Sequence, residues 1–203
     1  GKGWGQGPQH GKSLHSWFAN LPGLSVVFPS SPLEAKGLML SSIFSNFPTI
    51  IFESRSIYSM VEEVPAQPFF INPTKSFIRK KGTDITLIGF GSSISEILMI
   101  EKYLKQKGLS CEILDLRTIN PIDKVTILKS INKTKRIAVI ENGWSVCGVA
   151  SEIISLATEN IFLKSKPMKF CWPNSHIPTT YKLEKEFYFD PKKIAKKIFA
   201  NIK

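Results

Sequence analysis

Apolar residues along the chain fall into short continuous runs separated by amphipathic stretches, a pattern that predicts buried strands alternating with helices. The run LSVVFP at residues 24–29 predicts a strand, and TIIFE at residues 49–53 predicts the next one. Between them a helix is predicted to begin at Ser31-Pro32, because Ser suits the N-cap and Pro the first turn, and to run to about residue 45. A strand–helix–strand unit of this kind predicts a parallel sheet.

A second alternating pattern occupies the rest of the chain after residue 80. Strands are predicted at residues 84–90, 111–116, 136–141 and 168–172, and helices at 92–106, 121–131, 148–159 and 191–202. Residues 54–80 contain Pro65, Pro68 and Pro73, which is typical of a linker on the surface. We therefore expect an α/β fold with one part at residues 1–53, a linker at 54–80 and a second part at 81–203.

The charge of the chain is unusual for an ordinary globular composition. Twenty-seven Lys and Arg against 16 Asp and Glu give +11, which invites a polyanionic partner. However, four of the basic residues are Arg, and the tail lysines alternate with apolar residues as on the solvated face of a helix. No apolar run has the length of a membrane span. We expect neither a nucleic-acid nor a membrane partner.

Three cysteines without a CxxC spacing, and no signal peptide, predict a cytoplasmic location. Cys111 and Cys171 lie in predicted strands and Cys147 in a turn. His15 and His176 have no partners at metal-ligand spacing, so we expect structural or surface residues and no metal site. The chain begins without Met in a Gly-rich segment, and we expect it to be a fragment or a processed piece of a longer protein.

Three segments are candidates for chemistry. In GQGPQHGKS at residues 5–13, the glycines permit close approach to a ligand, and His10 could act as an acid or base. The alternative is a frayed terminus with an exposed His. GFGSS at residues 89–93 lacks a third Gly and a Walker lysine, which favours a tight turn capped by Ser over a phosphate site. Glu141 lies at the end of a predicted strand, where it could be a site carboxylate or could cap the next turn.

The order of several motifs identifies a resemblance to a family. Residues 9–38 contain Gln9-His10, Ser13, Trp17-Phe18, Pro22-Gly23-Leu24, Val26-Val27, Pro29 and Ala35-Lys36-Gly37-Leu38. This series resembles the second half of the pyrimidine-binding domain in beta subunits of thiamine-diphosphate-dependent 2-oxoacid dehydrogenases of the pyruvate and branched-chain type. The runs GTDITLIGFG, CEILDLRTINPID, KTKRIAVIENGW and GVASEI resemble the transketolase C-terminal domain of the same subunits.

The resemblance implies a parallel-sheet domain portion followed by a three-layer α/β domain. It also implies oxidative decarboxylation of a 2-oxo acid with acyl transfer to a lipoyl group. By the resemblance, His10 is the catalytic residue that stabilises an oxyanion and supplies a proton, and Gln9 contacts the cofactor. The cofactor would be thiamine diphosphate, with magnesium held mainly by a partner alpha subunit. Further expected partners are a second copy, through the C-terminal domain, and a lipoyl-bearing acyltransferase.

Departures from the family pattern limit this expectation. The family's Glu that activates the aminopyrimidine precedes the first residue of this chain, so we expect the chain alone to be inactive and not to bind the cofactor. Ser45 and Phe47 replace residues of a potassium site, which is therefore not expected. The basic excess after residue 80 is unfavourable for docking a basic acyltransferase domain. A non-catalytic assembly module and a transketolase-like sugar enzyme stay open as alternatives.

Overall fold

Strands and helices alternate along most of the chain in the computed structural model, which describes residues 1–3 and 5–202 and confirms the α/β class. The strands are β1 (Ser25–Val27), β2 (Thr49–Ile51), β3 (Phe77–Lys80), β4 (Ile85–Gly89), β5 (Cys111–Asp115), β6 (Thr118–Asn120), β7 (Ile137–Trp144) and β8 (Met168–Trp172). The helices are α1 (Gly7–His10), α2 (His15–Ala19), α3 (Pro32–Ile43), α4 (Ser93–Lys105), α5 (Lys124–Thr134), α6 (Val149–Asn160), α7 (Tyr181–Phe187) and α8 (Pro191–Ile202).

The first part of the chain contributes a small sheet with the order β2-β1-β6. Strands β1 and β2 are parallel, with Val26 opposite Ile50, as the strand–helix–strand pattern predicts. Strand β6 comes from the second part and pairs antiparallel with β1. The Phe28 amide also donates to the Arg117 carbonyl at 2.6 Å. Backbone hydrogen bonds therefore join the two parts directly.

The second part is built on a five-stranded sheet with the order β3-β5-β4-β7-β8. Strands β4, β5, β7 and β8 are parallel, whereas β3 is antiparallel to β5. The prediction of a linker over residues 54–80 is thus wrong for Phe77–Lys80, which forms the edge strand. The sequence FIRK carries two cations and lacks an apolar run, so its strand character is set by pairing with β5.

Helices cover both faces of this sheet and give the expected three layers. On one face, Ile127 of α5 and Ile153 of α6 pack on strand residues such as Val139. On the other face, Ile97 of α4 and Ile198 of α8 are fully buried in a separate core. Each such side chain stabilises the fold by about 1.5–3 kcal/mol when fully buried. Among the described residues, no helix combines the length and apolar character needed to cross a membrane.

The local signals are confirmed in full for the start of α3, whereas α4 begins at the predicted tight turn without the predicted side-chain cap from Ser92. The Ser31 hydroxyl accepts a hydrogen bond from the Glu34 amide at 3.4 Å, and Pro32 is the first residue of α3. At residues 89–93 the chain makes the tight turn that the sequence favours. There the Ser93 hydroxyl accepts from the Phe90 amide at 2.9 Å, and Gly91 has a φ of +54°. Strand β6 and helices α1, α2 and α7 were not predicted.

Candidate functional site

The glycine-rich segment at the start of the chain is packed against the second part. The Gly5 amide donates to Oε2 of the buried Glu184 at 2.7 Å, and the Gly3 amide donates to the Tyr188 hydroxyl at 3.2 Å. Gly7 has a φ of +61°, and a Cβ there would lie 2.2 Å from Cγ2 of Thr179. Glycine is therefore required at this position by backbone conformation and by close approach, and the segment is held in place.

Gln9 and His10 lie at the end of α1, and both are exposed. The next residue, Gly11, is buried, and its amide donates to the Gly7 carbonyl at 3.0 Å. A Cβ at Gly11 would lie 2.9 Å from Cδ1 of Ile177, so this turn also rests on the second part. The exposed imidazole of His10 therefore projects from an anchored turn and can be reached by a molecule from outside.

Five residues further on, His15 forms a buried ion-pair contact with Glu141 at 2.7 Å, between Nε2 and Oε1. The two side chains are 1% and 0% exposed. At the other ring nitrogen, Nδ1 of His15 lies 2.8 Å from the Ser13 hydroxyl. Both imidazole nitrogens are thus hydrogen-bonded, which compensates the cost of burying the ring.

The Glu141 carboxylate is also bound by the start of α6. It accepts from the Val149 amide at 3.2 Å and from the Ala150 amide at 2.7 Å. The first amides of a helix have no partner within the helix, and the Glu141 carboxylate supplies the acceptors for two of them. Of the two roles that the sequence left open for Glu141, the cap is present, because the carboxylate accepts from amides at the start of α6. Its role as a site carboxylate stays a prediction.

Two glycines make room for this pair. A Cβ at Gly143 would lie 2.7 Å from Cε1 of His15, and a Cβ at Gly148 would lie 2.9 Å from Oε2 of Glu141. Contacts at these distances are closer than van der Waals packing allows. The absence of a side chain at Gly143 and Gly148 therefore leaves the space that the imidazole of His15 and the carboxylate of Glu141 occupy.

Aromatic rings surround the imidazole of His15. The centroids of the Phe28 and Phe90 rings lie 5.5 and 5.3 Å from it, in edge-to-face arrangements. Phe28 in turn stacks on Phe52 at 4.9 Å. The rings exclude water from the pair and keep its electrostatic attraction strong.

His15 is a structural residue, as the sequence indicates, but its partnership with Glu141 was missed. The signal was a carboxylate at the end of a strand, placed next to two glycines. His176, by contrast, is exposed. Cys111 and Cys171 lie in β5 and β8, where burial raises the pKa of both thiols to about 12.

A cavity of about 470 Å³ is lined by Lys12, two residues after His10 in the chain, and by residues that follow it. One wall consists of residues 12–14, 16 and 17, and the other consists of residues that follow β7 and β8, among them Cys147 and His176. Trp17 is 71% exposed at this wall. The cavity therefore lies at the carboxyl end of parallel strands, where open α/β sheets bind their ligands.

A second cavity of about 270 Å³ lies between the two parts, beside the rings of Phe28, Phe52 and Phe90. Ser13, Ser92 and Asn142 supply polar atoms to its wall. Within residues 1–3 and 5–202, no group of three or more His, Cys, Asp or Glu side chains is arranged to hold a metal ion. The rings and the polar atoms of this cavity can thus border a flat aromatic ligand.

A separate group of buried charges joins the two parts on the other side of β1. This arginine cluster consists of Ser30, Glu34, Arg79, Asp115 and Arg117. Nε of Arg79 contacts Oδ2 of Asp115 at 2.8 Å, and its terminal nitrogen contacts Oε2 of Glu34 at 2.8 Å. Nε of Arg117 contacts Oε1 of Glu34 at 2.8 Å. The Ser30 hydroxyl lies between the two carboxylates, 2.6 Å from Glu34 and 2.5 Å from Asp115.

The two carboxyl groups of the arginine cluster titrate differently. Burial, reinforced by the negative charge of Glu34, raises the pKa of Asp115 to about 6. Burial acts in the same sense on Glu34, but Arg79, Ser30 and Arg117 outweigh it and lower the Glu34 pKa below its ordinary value. Asp115 therefore belongs to a structural charge cluster.

Comparisons with known proteins agree with this geometry. The family model "Transketolase, C-terminal domain" matches residues 75–194. A solved structure described as a split-gene transketolase, an inactive beta4 tetramer, has a TM-score of 0.75 and 18% identity, and covers 93% of this chain and 61% of that one. A transketolase mutant from Pichia stipitis, R525L, has a TM-score of 0.64 and 17% identity, and covers 97% of this chain and 28% of that one. These two likenesses concern the fold.

Among curated proteins, the beta subunit of acetoin:2,6-dichlorophenolindophenol oxidoreductase from Bacillus subtilis is 34% identical over 96% of this chain and 57% of its own length. The beta subunit of the pyruvate dehydrogenase E1 component from Acholeplasma laidlawii is 37% identical over 92% and 58%. The mitochondrial 2-oxoisovalerate dehydrogenase subunit beta from Dictyostelium discoideum is 43% identical over 77% and 43%. The chain thus spans about half the length of these relatives. It belongs to the transketolase C-terminal domain family, in the form related to beta subunits of 2-oxoacid dehydrogenases.

Proposed function

We propose that this chain is the C-terminal portion of the beta subunit of a decarboxylating 2-oxoacid dehydrogenase. The observation that carries the proposal is the anchored glycine-rich turn, which presents an exposed His10 two residues before Lys12 in the chain, where the lining of the cavity at the carboxyl ends of β7 and β8 begins. The pyruvate dehydrogenase and 2-oxoisovalerate dehydrogenase relatives support the same reaction class. The active site would be completed by residues outside this chain.

In this proposal, His10 contacts the reacting group. An imidazole can donate a hydrogen bond to a developing oxyanion and can transfer a proton near neutral pH. Gln9 lies next to it and would contact the cofactor. Thiamine diphosphate, when bound, supplies the electron sink for loss of CO₂. The Gly5 and Gly11 contacts hold the turn, so that His10 meets the substrate with little loss of conformational freedom.

The proposed partners follow from the family. By the family resemblance, an alpha subunit would hold the diphosphate and magnesium. A second copy would pair through the C-terminal domain, and a lipoyl-bearing acyltransferase would accept the acyl group. We also propose a cytoplasmic location, which is compatible with the three free cysteines.

Replacement of His10 in the complete enzyme tests the catalytic role. We expect His10→Ala to lower acyl transfer to lipoamide by about 100-fold or more, the usual contribution of a positioned proton donor. The matched control is Lys164→Ala, an exposed residue that precedes the amino end of β8, whereas the cavity follows its carboxyl end, so the rate should be unchanged. Assembly with the alpha subunit is measured for both variants by size-exclusion chromatography.

The outcomes separate the alternatives. An unchanged rate in His10→Ala would favour a non-catalytic assembly module. A reaction that transfers a ketol unit to an aldose instead of an acyl group to lipoamide would favour a transketolase-like enzyme. The 203-residue chain alone is expected to be inactive, and decarboxylation of a 2-oxo acid by that purified chain would contradict the requirement for further subunits.

A further inference from the structure

Half of the acidic residues of this chain are buried. Of the 16 Asp and Glu residues, eight have buried side chains. They are Glu34, Glu96, Glu101, Glu112, Asp115, Asp123, Glu141 and Glu184. Most are paired with cations, and some of these cations stay partly exposed, for example Lys133 with Glu112 and Lys80 with Glu101. Because these carboxylates are directed inward, the exposed surface is more basic than the ratio of charged residues suggests.

The imbalance is largest on the layer formed by α4 and α8. These helices pack against each other and bury their apolar sides on the same face of the second sheet. Their outward sides carry a lysine face of six exposed residues, Lys102, Lys105, Lys192, Lys193, Lys196 and Lys197.

No exposed carboxylate balances the lysine face within these two helices. The two acidic residues of α4, Glu96 and Glu101, are each 6% exposed, and α8 contains no acidic residue. Asp190 precedes α8, but its carboxylate accepts from the amides of Lys192 and Lys193. Across the described residues, none of the six lysines forms an ion pair. Like charges so close together repel one another, and an anionic partner would relieve that repulsion.

The chemistry of the lysine face favours a protein partner. It contains no Arg, the residue that recognises phosphates in bidentate geometry. The apolar side of α8 is buried in the core, with Ile194 5% and Ile198 0% exposed, so the helix cannot lay that side into a lipid surface. Next to the lysines, Leu98 and Met99 on α4 are 41% and 51% exposed. Such a mixed surface fits a segment that combines acidic and apolar side chains.

We propose that the lysine face of α4 and α8 docks an acidic protein segment that also carries apolar side chains. This surface lies on the opposite side of the second sheet from α5 and α6. The proposal concerns a partner of the whole protein and does not depend on the catalytic role of His10. Its attraction for the partner is electrostatic, so binding weakens as salt is added.

Binding of a labelled acidic peptide to the full-length protein tests the proposal. The probe is a peptide of about 20 residues in which Glu alternates with Leu and Gly, followed by fluorescence anisotropy, and the same peptide with Gln for Glu serves as the neutral control. In one variant the changes are Lys102→Glu, Lys105→Glu, Lys192→Glu and Lys196→Glu. The matched variant has the same charge change at exposed positions elsewhere, Lys124→Glu, Lys129→Glu, Lys182→Glu and Lys185→Glu.

The lysine-face variant is expected to raise the Kd at least about tenfold and the matched variant less than about threefold, with binding of the neutral peptide weak throughout. Equal losses in the two variants would overturn the proposal, because net charge alone would then explain binding. Preferential binding of phosphatidylserine vesicles or of single-stranded RNA through the same lysines would replace the protein partner by a membrane or a nucleic acid. Four Lys→Gln changes at the same positions, checked by circular dichroism, keep the test valid if charge reversal prevents folding.

Discussion

The His15–Glu141 pair and the arginine cluster both join the first part of the chain to the second through buried charges, but they are built differently. The pair depends on one carboxylate, which serves His15 and two amides of α6. The arginine cluster has two cations and two carboxylates, and Glu34 is shared between Arg79 and Arg117. A site with one central group has no substitute when that group is lost, whereas a shared network retains some of its contacts.

From this difference we expect the largest loss of stability when the central carboxylate of the pair, Glu141, is removed. Glu141→Ala leaves a buried imidazole and the Val149 and Ala150 amides without their partner. We expect the free energy of unfolding to fall by about 4 kcal/mol, the range for one lost partner of a buried pair. Urea denaturation followed by circular dichroism measures it. Glu141→Gln keeps the shape and an acceptor oxygen, so it should cost clearly less.

The matched change in the arginine cluster is Arg117→Met. Glu34 would keep its contacts with Arg79 and Ser30, so the loss should be about 1–2 kcal/mol. A loss as large as that of Glu141→Ala would contradict the idea that the cluster is redundant.

The arginine cluster should also give the stability a pH dependence through Asp115. Its pKa of about 6 in the folded chain lies above the ordinary value of 3.8. Between these values the folded chain holds a proton that the unfolded chain has lost, so this group adds stability as the pH falls from 7 to 4. Asp115→Asn lacks this contribution. Relative to the variant, the unaltered protein should therefore gain about 2 kcal/mol over that range.

Glu34 titrates in the opposite sense, because its pKa is lowered and its stabilising contribution is lost in acid. Glu34 is present in the unaltered protein and in Asp115→Asn, so most of its effect cancels in the difference between their free energies of unfolding. Unfolding in urea at a series of pH values provides the data. A stability difference that does not change with pH would contradict the assigned direction for Asp115.

The smallest expected effect concerns the outer end of the His15–Glu141 pair. Ser13→Ala removes the hydroxyl next to Nδ1 of His15 but leaves the ion-pair contact with Glu141. We expect a loss of about 1 kcal/mol, since Ser13 is partly exposed and water can replace the hydroxyl. The thermal midpoint, compared with that of Ser16→Ala as a control, measures it. A loss near that of Glu141→Ala would show that the hydroxyl is essential to the pair.

Local sequence signals were sufficient for the elements with a strong apolar pattern or a clear cap, and not for β3, β6, α1, α2 and α7. The β-branched runs at β1, β4 and β7 and the Ser31-Pro32 start of α3 are confirmed, because burial and capping act over a few neighbouring residues. Strand β3 has no such signal. Its FIRK sequence is exposed or half-buried, and β5 supplies its pairing from more than thirty residues away.

The candidate site could be predicted only in part for the same reason. The glycines near His10 and the strand-end position of Glu141 are visible in the sequence as isolated features. The contact between His15 and Glu141 joins residues 126 positions apart. Neither the hydrophobic period nor a motif reports such a contact, so the aromatic shell and the charge pairing required the three-dimensional structure.

Gly143 and Gly148 lie against the His15–Glu141 pair, so the pair limits which substitutions the protein can accept at these two positions. Any side chain at Gly143 would overlap the imidazole of His15, and any at Gly148 would overlap the carboxylate of Glu141. In a saturation library, both positions should therefore reject every replacement as a single change. At position 143 a larger residue should be recovered only together with a smaller residue at position 15 or 141. At position 148 no such second change should suffice, because a Cβ there would also lie 2.7 Å from the backbone carbonyl oxygen of Trp144. The buried pair therefore decides which changes at these positions can be inherited together.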